Sequence, residues 1–140
     1  AEHPNRSYRG KTNTCANETD LDLVLSARKA MGDKPVIVVV RMHHPCVLGE
    51  LEAAADAIVV DFGVQQEAIL TILSGKAEPS GLLPVQLPRD METVEAHCED
   101  KPLDMIPYKD SVENAYDFGF GLNWSGVIRD ERTMRYQKEL

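Results

Sequence analysis

The sequence predicts an α/β fold, with a parallel sheet flanked by helices and an irregular C-terminal tail. Two runs rich in β-branched residues, KPVIVVV (34–40) and DAIVVDF (56–62), have the length and continuous apolar character of strands buried on both faces. Segments with helical periodicity precede, separate and follow these runs. Such an alternation favours right-handed crossovers, which place consecutive strands parallel in one sheet.

The first helix is predicted to begin at a capping box, TDLD (19–22), because a hydroxyl and a carboxylate three residues later can satisfy free backbone amides. Apolar residues between 21 and 31 then form one helical face, and Gly32 is a natural helix end. The first strand, 34–40, follows this helix directly.

A short helix over roughly residues 46–55 is predicted next, because Pro45 suits the first turn of a helix. The DAIVVDF strand follows, and Gly63 ends it. The third helix is indicated by an apolar face that lies largely opposite Gln, Glu and Thr residues. That apolar face consists of Val64, Ala68, Ile69, Ile72 and Leu73.

The stretch SGKAEPSGLLPVQLPRD (74–90) holds three prolines and two Ser-Gly steps. Its LLPVQLP part (82–88) predicts a third, shorter strand beside the other two and in the same direction. Pro84 and Pro88 cannot donate to a strand ladder, so this segment should lie at an edge of the sheet. We interpret the prolines as a rigid scaffold rather than as part of a reactive site. The METVEAHCED segment (91–100) predicts one or two helical turns.

The chain falls into three segments by composition. Residues 1–18 are polar and aperiodic and predict an N-terminal loop or tail, whereas residues 19–100 carry the helix and strand patterns. Residues 101–140 predict a C-terminal loop region and tail, and their many apolar and aromatic residues suggest that they pack on a neighbouring surface. Three strands also make a thin sheet, so either the termini add strands or another segment of polypeptide completes it.

Length and charge narrow the possible functions. The 140 residues are enough for one domain with a core. A net charge of −8 disfavours nucleic acid and anionic membrane surfaces as partners. No apolar run approaches the roughly 20 residues of a membrane span. The first residue is Ala1 rather than Met, so we expect a processed product or a fragment, and the compartment stays open.

The cysteines and histidines predict no metal site. The chain has three widely spaced cysteines, Cys15, Cys46 and Cys98. Because the count is odd, reduced thiols are the simplest interpretation, although one disulfide stays possible. His43 and His44 precede Cys46, but adjacent histidines usually point apart and no second cluster completes four zinc ligands. We therefore predict loop residues at a domain interface. No dinucleotide fingerprint, P-loop or nucleophile elbow is present, and no cofactor is expected.

Several motifs occur in order along residues 21–124. They are Lys34–Val40 with Pro45, Ala53–Ile58, Gly63, Leu73–Gly75, Pro79–Pro88 and Tyr116–Leu122. This set resembles the C-terminal α/β domain of family 3 glycoside hydrolases, the β-glucosidase group, whose motifs include P-S-G-x-L-P-V-x-x-P and, later, Y-x-F-G-x-G-L. The resemblance implies that residues 19–100 belong to an α/β sandwich within a larger enzyme.

The resemblance also implies a retaining mechanism, in which two carboxyl groups flank the glycosidic bond of a β-glucoside or oligosaccharide. In this family the nucleophile is an Asp on a separate N-terminal (β/α)8 barrel domain, which these residues do not resemble. In some subgroups the acid/base is a Glu in the loop after the second strand. That loop reads FGVQQE here, and the matching position is Gln65, which cannot give up a proton. We therefore assign no catalytic residue to this chain and expect the acid upstream or on another loop.

Asp61, Gln65 and Gln66 are the candidate substrate-binding residues. They follow the second strand at its carboxyl end, where open α/β sheets bind ligands. Two plainer interpretations stay open, because the glutamines could be solvated residues at a helix start and Asp61 could be the N-cap of that helix.

The function that follows is that of the C-terminal domain, or a fragment, of a β-glucosidase-like hydrolase that is inactive without the barrel domain. The alternative is a non-catalytic α/β module for binding or interaction. The sequence leaves the sugar and linkage specificity open.

Overall fold

The computed structural model of the chain describes residues 18–98, 100–101 and 104–135. The predicted N-terminal tail lies outside these residues, except for Glu18, which already belongs to the first helix. In chain order the elements are α1 (Glu18–Met31), β1 (Ile37–Arg41), α2 (Gly49–Glu52), β2 (Ala57–Asp61), α3 (Gln66–Leu73), α4 (Met91–Ala96), β3 (Leu122–Asn123), β4 (Gly126–Val127) and α5 (Glu131–Met134).

The first two strands form the predicted parallel sheet. Ile37 lies opposite Ala57 at one end of the pair, and Arg41 lies opposite Asp61 at the other. The connection between them contains α2, while α1 precedes β1 and α3 follows β2. The predicted α/β fold is therefore confirmed, with a parallel sheet and flanking helices.

The prediction that the strands are buried on both faces was wrong for β1. Burial alternates along β1, where Ile37 is 49% exposed and Val39 is 39% exposed, while Val38 and Val40 are partly covered. The described part of the chain supplies two strands to this sheet and leaves one face of β1 open. A continuous apolar run thus predicts the strand correctly, but it does not show whether this chain itself covers both faces of the sheet.

The prediction that residues 82–88 run as a third parallel strand was also wrong. This segment forms backbone hydrogen bonds with the C-terminal region instead: Leu83 N donates to Phe120 O at 2.7 Å and Leu87 N donates to Tyr116 O at 2.9 Å. Prolines at 84 and 88 interrupt its row of donors, which limits regular pairing. The two family motifs, PSGLLPVQLP and YDFGFGL, therefore lie against each other.

The contact between the two motifs requires a glycine at one position. A Cβ atom on Gly121 would collide with the carbonyl oxygen of Gly81, so only glycine allows the two backbones to approach this closely. Gly119 N also donates to Leu83 O at 2.8 Å. The glycines of the second motif thus serve backbone packing.

The predicted helices are present with shifted bounds. Thr19 lies inside α1 rather than at its cap, since the helix includes Glu18, whereas Gly32 ends it as predicted, with φ at 58°. Helix α2 covers four residues instead of 46–55, because the amides of Ala54 and Ala55 bond to carbonyls three residues earlier and tighten into a turn. Helices α3 and α4 lie where the sequence predicts them.

The core lies beside the carboxyl end of the sheet. Its buried centre consists of Met42, Leu48 and Leu87. Partly buried side chains pack around it: Val40, Cys46, Val60, Leu83, Val85 and Tyr116. Because Met42 follows β1 directly and its amide donates to Asp61 O at 2.8 Å, this core supports the strand ends.

Part of the C-terminal region packs on this core rather than away from it. Tyr116 lies edge-on to Tyr108 at 5.4 Å between ring centroids and stacks on Phe120 at 5.3 Å. The Tyr108 hydroxyl donates to Glu52 Oε2 at 2.9 Å, and burial together with this carboxylate raises the pKa of Tyr108 to about 12. Other apolar side chains of the region stay exposed, Trp124 among them. Their packing on a neighbouring surface stays a prediction.

The sequence patterns missed the hairpin of β3 and β4 and the single-turn helix α5. Two-residue strands and a four-residue helix are too short to show periodicity. Among the described residues, Cys46 and Cys98 are not joined to each other in a disulfide, and Cys15 lies outside the described residues. In the described part of the chain, no helix has both the length and the apolar character needed to cross a bilayer.

Candidate functional site

An open cleft of about 530 Å³ lies at the carboxyl end of the parallel sheet. Its volume is within the range of roughly 300–1,000 Å³ that is typical of small-molecule sites. The lining residues are Val39, Arg41, Asp61, Val64, Gln65, Gln66 and Ile69. The structure thus brings all three predicted substrate-binding residues to one cleft, at the sheet end where α/β folds bind ligands.

The strand register and one loop place these side chains. Arg41 and Asp61 are the last residues of β1 and β2 and are register partners. After Asp61 the chain turns at Gly63, whose φ of 108° favours glycine, and α3 then begins at Gln66. The cleft is therefore built by two strand ends, the loop 62–65 and the first turns of α3.

Asp61 is buried and fully engaged with the protein. Its Oδ1 accepts from the amides of Gly63 and Val64, both at 2.7 Å. Its Oδ2 accepts from Nε of Arg41 at 2.7 Å and lies 2.7 Å from Nη2 of the same guanidinium. The Val64 amide, followed by the bond from Arg41, lowers the pKa of Asp61 below its usual value, although burial opposes this. Asp61 is therefore ionised at neutral pH.

The alternative that Asp61 is the N-cap of the following helix was wrong. Its bonds go to Gly63 and Val64, which precede α3, and the N-cap position is Gln65. Asp61 instead fixes the loop between strand and helix. Because the Asp61 side chain is only 1% exposed and its oxygens already accept three hydrogen bonds from the protein, a direct contact with substrate stays a prediction that this geometry does not favour.

Gln65 and Gln66 line the cleft. Both residues are exposed, and the side chain of Gln65 makes no capping hydrogen bond. Neither side-chain amide bonds to another residue in the described part of the chain. Glu67 lies in the first turn of α3, as predicted, but it does not line the cleft. Both amides can thus donate to and accept from a ligand, but no carboxyl group in the cleft is free to move a proton.

Arg41 was not predicted from the sequence as a cleft residue. It ends β1 and looks like an ordinary residue at the end of an apolar run. Its guanidinium bonds Asp61 and also donates from Nη2 to Val64 O at 3.1 Å. The signal that could have found it is the pairing of consecutive strand ends, since parallel register places the last residue of β1 beside the last residue of β2.

The histidine and cysteine cluster is a loop next to the core. His43 and His44 are exposed, and Nδ1 of His44 lies 3.3 Å from Pro45 O. Cys46 packs against the core. Within residues 18–98, 100–101 and 104–135, no group of three or more His, Cys, Asp or Glu side chains could hold a metal ion.

Comparison with known proteins identifies the family. The sequence model of the glycosyl hydrolase family 3 C-terminal domain matches residues 8–124. Beta-glucosidase C of Emericella nidulans is 35% identical over 97 residues, which cover 69% of this chain and 15% of that protein. The periplasmic beta-glucosidase/beta-xylosidase of Dickeya chrysanthemi is 32% identical over 94 residues, or 67% of this chain and 14% of that protein.

A longer alignment joins the chain to the periplasmic beta-glucosidase of Salmonella typhimurium, at 30% identity over 139 residues, or 89% of this chain and 18% of that protein. The chain thus spans between 14% and 18% of the length of these curated relatives. No solved structure gave a significant match. The match over residues 8–124 confirms the resemblance seen in the motifs, and the chain belongs to the glycosyl hydrolase family 3 C-terminal domain family.

Proposed function

We propose that this chain is part of a β-glucosidase-type glycoside hydrolase and forms one wall of its sugar pocket. The observation that carries the proposal is the family match over residues 8–124, together with relatives named as beta-glucosidases. The reaction is the hydrolysis of β-linked glucosides, including oligosaccharides, by a retaining mechanism with two carboxyl groups.

The cleft supports a binding role for this chain. Gln65 and Gln66 offer unpaired amides that can donate to and accept from sugar hydroxyls, and Asp61 holds the loop that carries them. Exposed Val39 of β1 and Val64 of the loop before α3 line the cleft and offer a surface for the face of a sugar ring. A neighbouring domain would close the open side.

The two catalytic carboxyl groups lie elsewhere in this proposal. Asp61 is buried and holds three hydrogen bonds from the protein, and the Gln65 amide is not ionisable and cannot act as an acid, so the cleft lacks both a nucleophile and an acid. The nucleophile is assigned to an N-terminal (β/α)8 barrel domain of the same protein. The acid/base is assigned to a segment upstream of this chain or to another loop.

Reconstitution tests this function. The 140-residue chain is mixed with a barrel-domain polypeptide, and the release of phenol from an aryl β-glucoside is measured for each part and for the mixture. We expect hydrolysis only in the mixture, because each part alone lacks half of the pocket.

A matched control keeps the assay decisive. The same barrel polypeptide is mixed with the corresponding C-terminal segment of Beta-glucosidase C from Emericella nidulans. If that segment restores hydrolysis and the present chain does not, the proposed function is wrong. Hydrolysis by the present chain alone, proven homogeneous by mass, would equally overturn the assignment of the nucleophile to another domain.

One observation favours a second candidate, a non-catalytic binding module. The cleft holds amides and a guanidinium but no free carboxylate, which suits ligand binding without chemistry. The two candidates differ in their dependence on a partner, since a binding module is monomeric and retains a ligand without the barrel polypeptide.

A further inference from the structure

The guanidinium of Arg41 is held rigidly at the edge of the cleft. Its Nε donates to Asp61 Oδ2 at 2.7 Å, and its Nη2 lies 2.7 Å from the same oxygen and donates to Val64 O at 3.1 Å. A guanidinium is planar, so fixing these two nitrogens also fixes the direction of the third. Arg41 is therefore oriented before any ligand arrives.

The third nitrogen, Nη1, has no partner in the described part of the chain. Among the residues that the structure describes, no acceptor bonds to Nη1, and the side chain of Arg41 is 55% exposed. The buried carboxylate of Asp61 and the carbonyl of Val64 thus hold the inner side of the guanidinium, while its outer side carries no hydrogen bond to a described residue. Two N–H donors thus lie at the edge of a cleft of about 530 Å³.

The other polar groups of the cleft do not compete for the same ligand atoms. Asp61 is buried and accepts three hydrogen bonds from the protein, and Gln65 and Gln66 are neutral amides. Arg41 is the charged lining residue with donors to spare, so an oxygen acceptor of a ligand would be directed toward it.

We propose that Arg41 binds ligand in this cleft by donating from Nη1 to a hydroxyl or carboxylate oxygen of a sugar, and that Asp61 acts as its positioning residue. The choice of a sugar rests on the proposed function. The location of the free donor does not, because it follows from the hydrogen bonds of Arg41 alone.

The chain contains a matched control at the opposite end of the same strands. Arg28 also bonds an aspartate, Asp56, but its other nitrogens donate to the carbonyls of Ala54, Gly32 and Lys34. No nitrogen of Arg28 is left for a ligand, and Arg28 does not line the cleft. A substitution there tests for non-specific effects of removing an Arg–Asp pair.

The test is an NMR titration of the 140-residue chain with D-glucose and, separately, with D-glucuronate. D-glucose carries a hydroxymethyl group at C6, whereas D-glucuronate carries a carboxylate there. Comparing the two titrations therefore shows whether Arg41 binds a hydroxyl oxygen or a carboxylate oxygen. We expect the Nε–H signal of Arg41 to shift on binding while that of Arg28 stays in place. This measurement needs no variant and therefore does not depend on the stability of one.

Variants then separate binding from positioning. Arg41→Lys is expected to weaken binding about tenfold or more, because one ammonium cannot serve Asp61, Val64 and the ligand together, whereas Arg28→Lys leaves affinity unchanged. Asp61→Asn is expected to weaken binding while Arg41 is still present, and to broaden or shift the Arg41 Nε–H signal in the free chain. A purely structural role of Asp61 would leave that signal as it is in the unsubstituted chain.

Each outcome decides the proposal. Binding of either sugar that survives Arg41→Lys undiminished overturns it, as does the absence of an Arg41 shift with both sugars at saturating concentration. Binding of glucuronate alone supports Arg41 as the ligand donor but counts against a neutral glucoside in the proposed function. The reconstitution assay judges the hydrolase function separately, so either idea can fail without the other.

Discussion

The two ends of the parallel sheet carry the same kind of ion pair with opposite exposure. At the amino end, the Arg28 side chain is 29% exposed and its partner Asp56 is 53% exposed. At the carboxyl end, Asp61 is 1% exposed and Arg41 is 55% exposed. In the first pair the cation faces the protein, whereas in the second pair the anion does.

This difference shows what each pair does. Arg28 joins the end of α1 to the turn after α2 through Gly32 O and Ala54 O, so that pair connects secondary structure elements. Asp61 instead ties one short loop to its own strand and leaves Arg41 at the surface. Identical residue types thus hold the fold together at one end and present a donor at the other.

Replacing Arg28 should have the largest effect on stability. Arg28→Ala removes donors from three backbone carbonyls and from Asp56, and we expect it to lower the free energy of unfolding by about 2 kcal/mol. The measurement is urea unfolding followed by circular dichroism.

The matched variant at the other end is Arg41→Ala, with an expected loss of about 1 kcal/mol or less. Arg41 is largely exposed, and water can replace it beside Asp61, which keeps its two amide bonds. Equal losses in the two variants would show that both pairs are structural and would remove the contrast between the two ends.

Acidification should lower the free energy of unfolding through both aspartates. We expect the larger contribution from the buried one, Asp61. Hydrogen bonds from Val36 and Arg28 lower the pKa of Asp56, and those from Val64 and Arg41 lower the pKa of Asp61. A carboxylate with a lowered folded-state pKa stabilises the fold above its ordinary pKa of 3.8, and this stabilisation is lost as pH falls through the folded value.

We therefore expect the urea midpoint to fall between about pH 4 and pH 2, and Asp61→Asn to reduce this fall more than Asp56→Asn. The dependence will not vanish in either variant, because three further aspartates also have lowered pKa values. They are Asp90, Asp104 and Asp130. A larger change in Asp56→Asn would reverse the assignment of the buried carboxylate as the more sensitive one.

A smaller, local effect is expected from Asp61→Ala. The amides of Gly63 and Val64 lose their acceptor, and their hydrogen exchange should become about tenfold faster. The amide of Val36, which donates to Asp56, should accelerate much less. If exchange at Val36 accelerates equally, the substitution has destabilised the whole domain, and Asp61 is not a local anchor of the loop.

The features that the sequence predicts correctly are local ones. The strands follow from continuous β-branched runs, and Gly32 marks the end of the first helix because its φ is positive. The general position of the cleft also follows, since Asp61 and the two glutamines come directly after a strand. These features depend on residues that are near each other in the chain.

Features that depend on distant residues were not predictable in the same way. Residues 82–88 have the composition of a strand, but their partner is the segment around Tyr116 and Phe120 rather than the sheet. Arg41 carries no local signal, because its role arises from a register partner 20 residues away. Tertiary contacts decide both cases, and local patterns do not report them.

The smallest expected effect concerns the two glutamines of the cleft. Gln65→Ala and Gln66→Ala should each change the free energy of unfolding by no more than about 0.5 kcal/mol, because both side chains are exposed and neither bonds to another described residue. Urea unfolding of both variants measures this directly. A loss above about 1 kcal/mol would show that these amides support the start of α3. The carboxyl end would then be built for stability like the amino end, and the cleft would lose its unpaired ligand-binding groups.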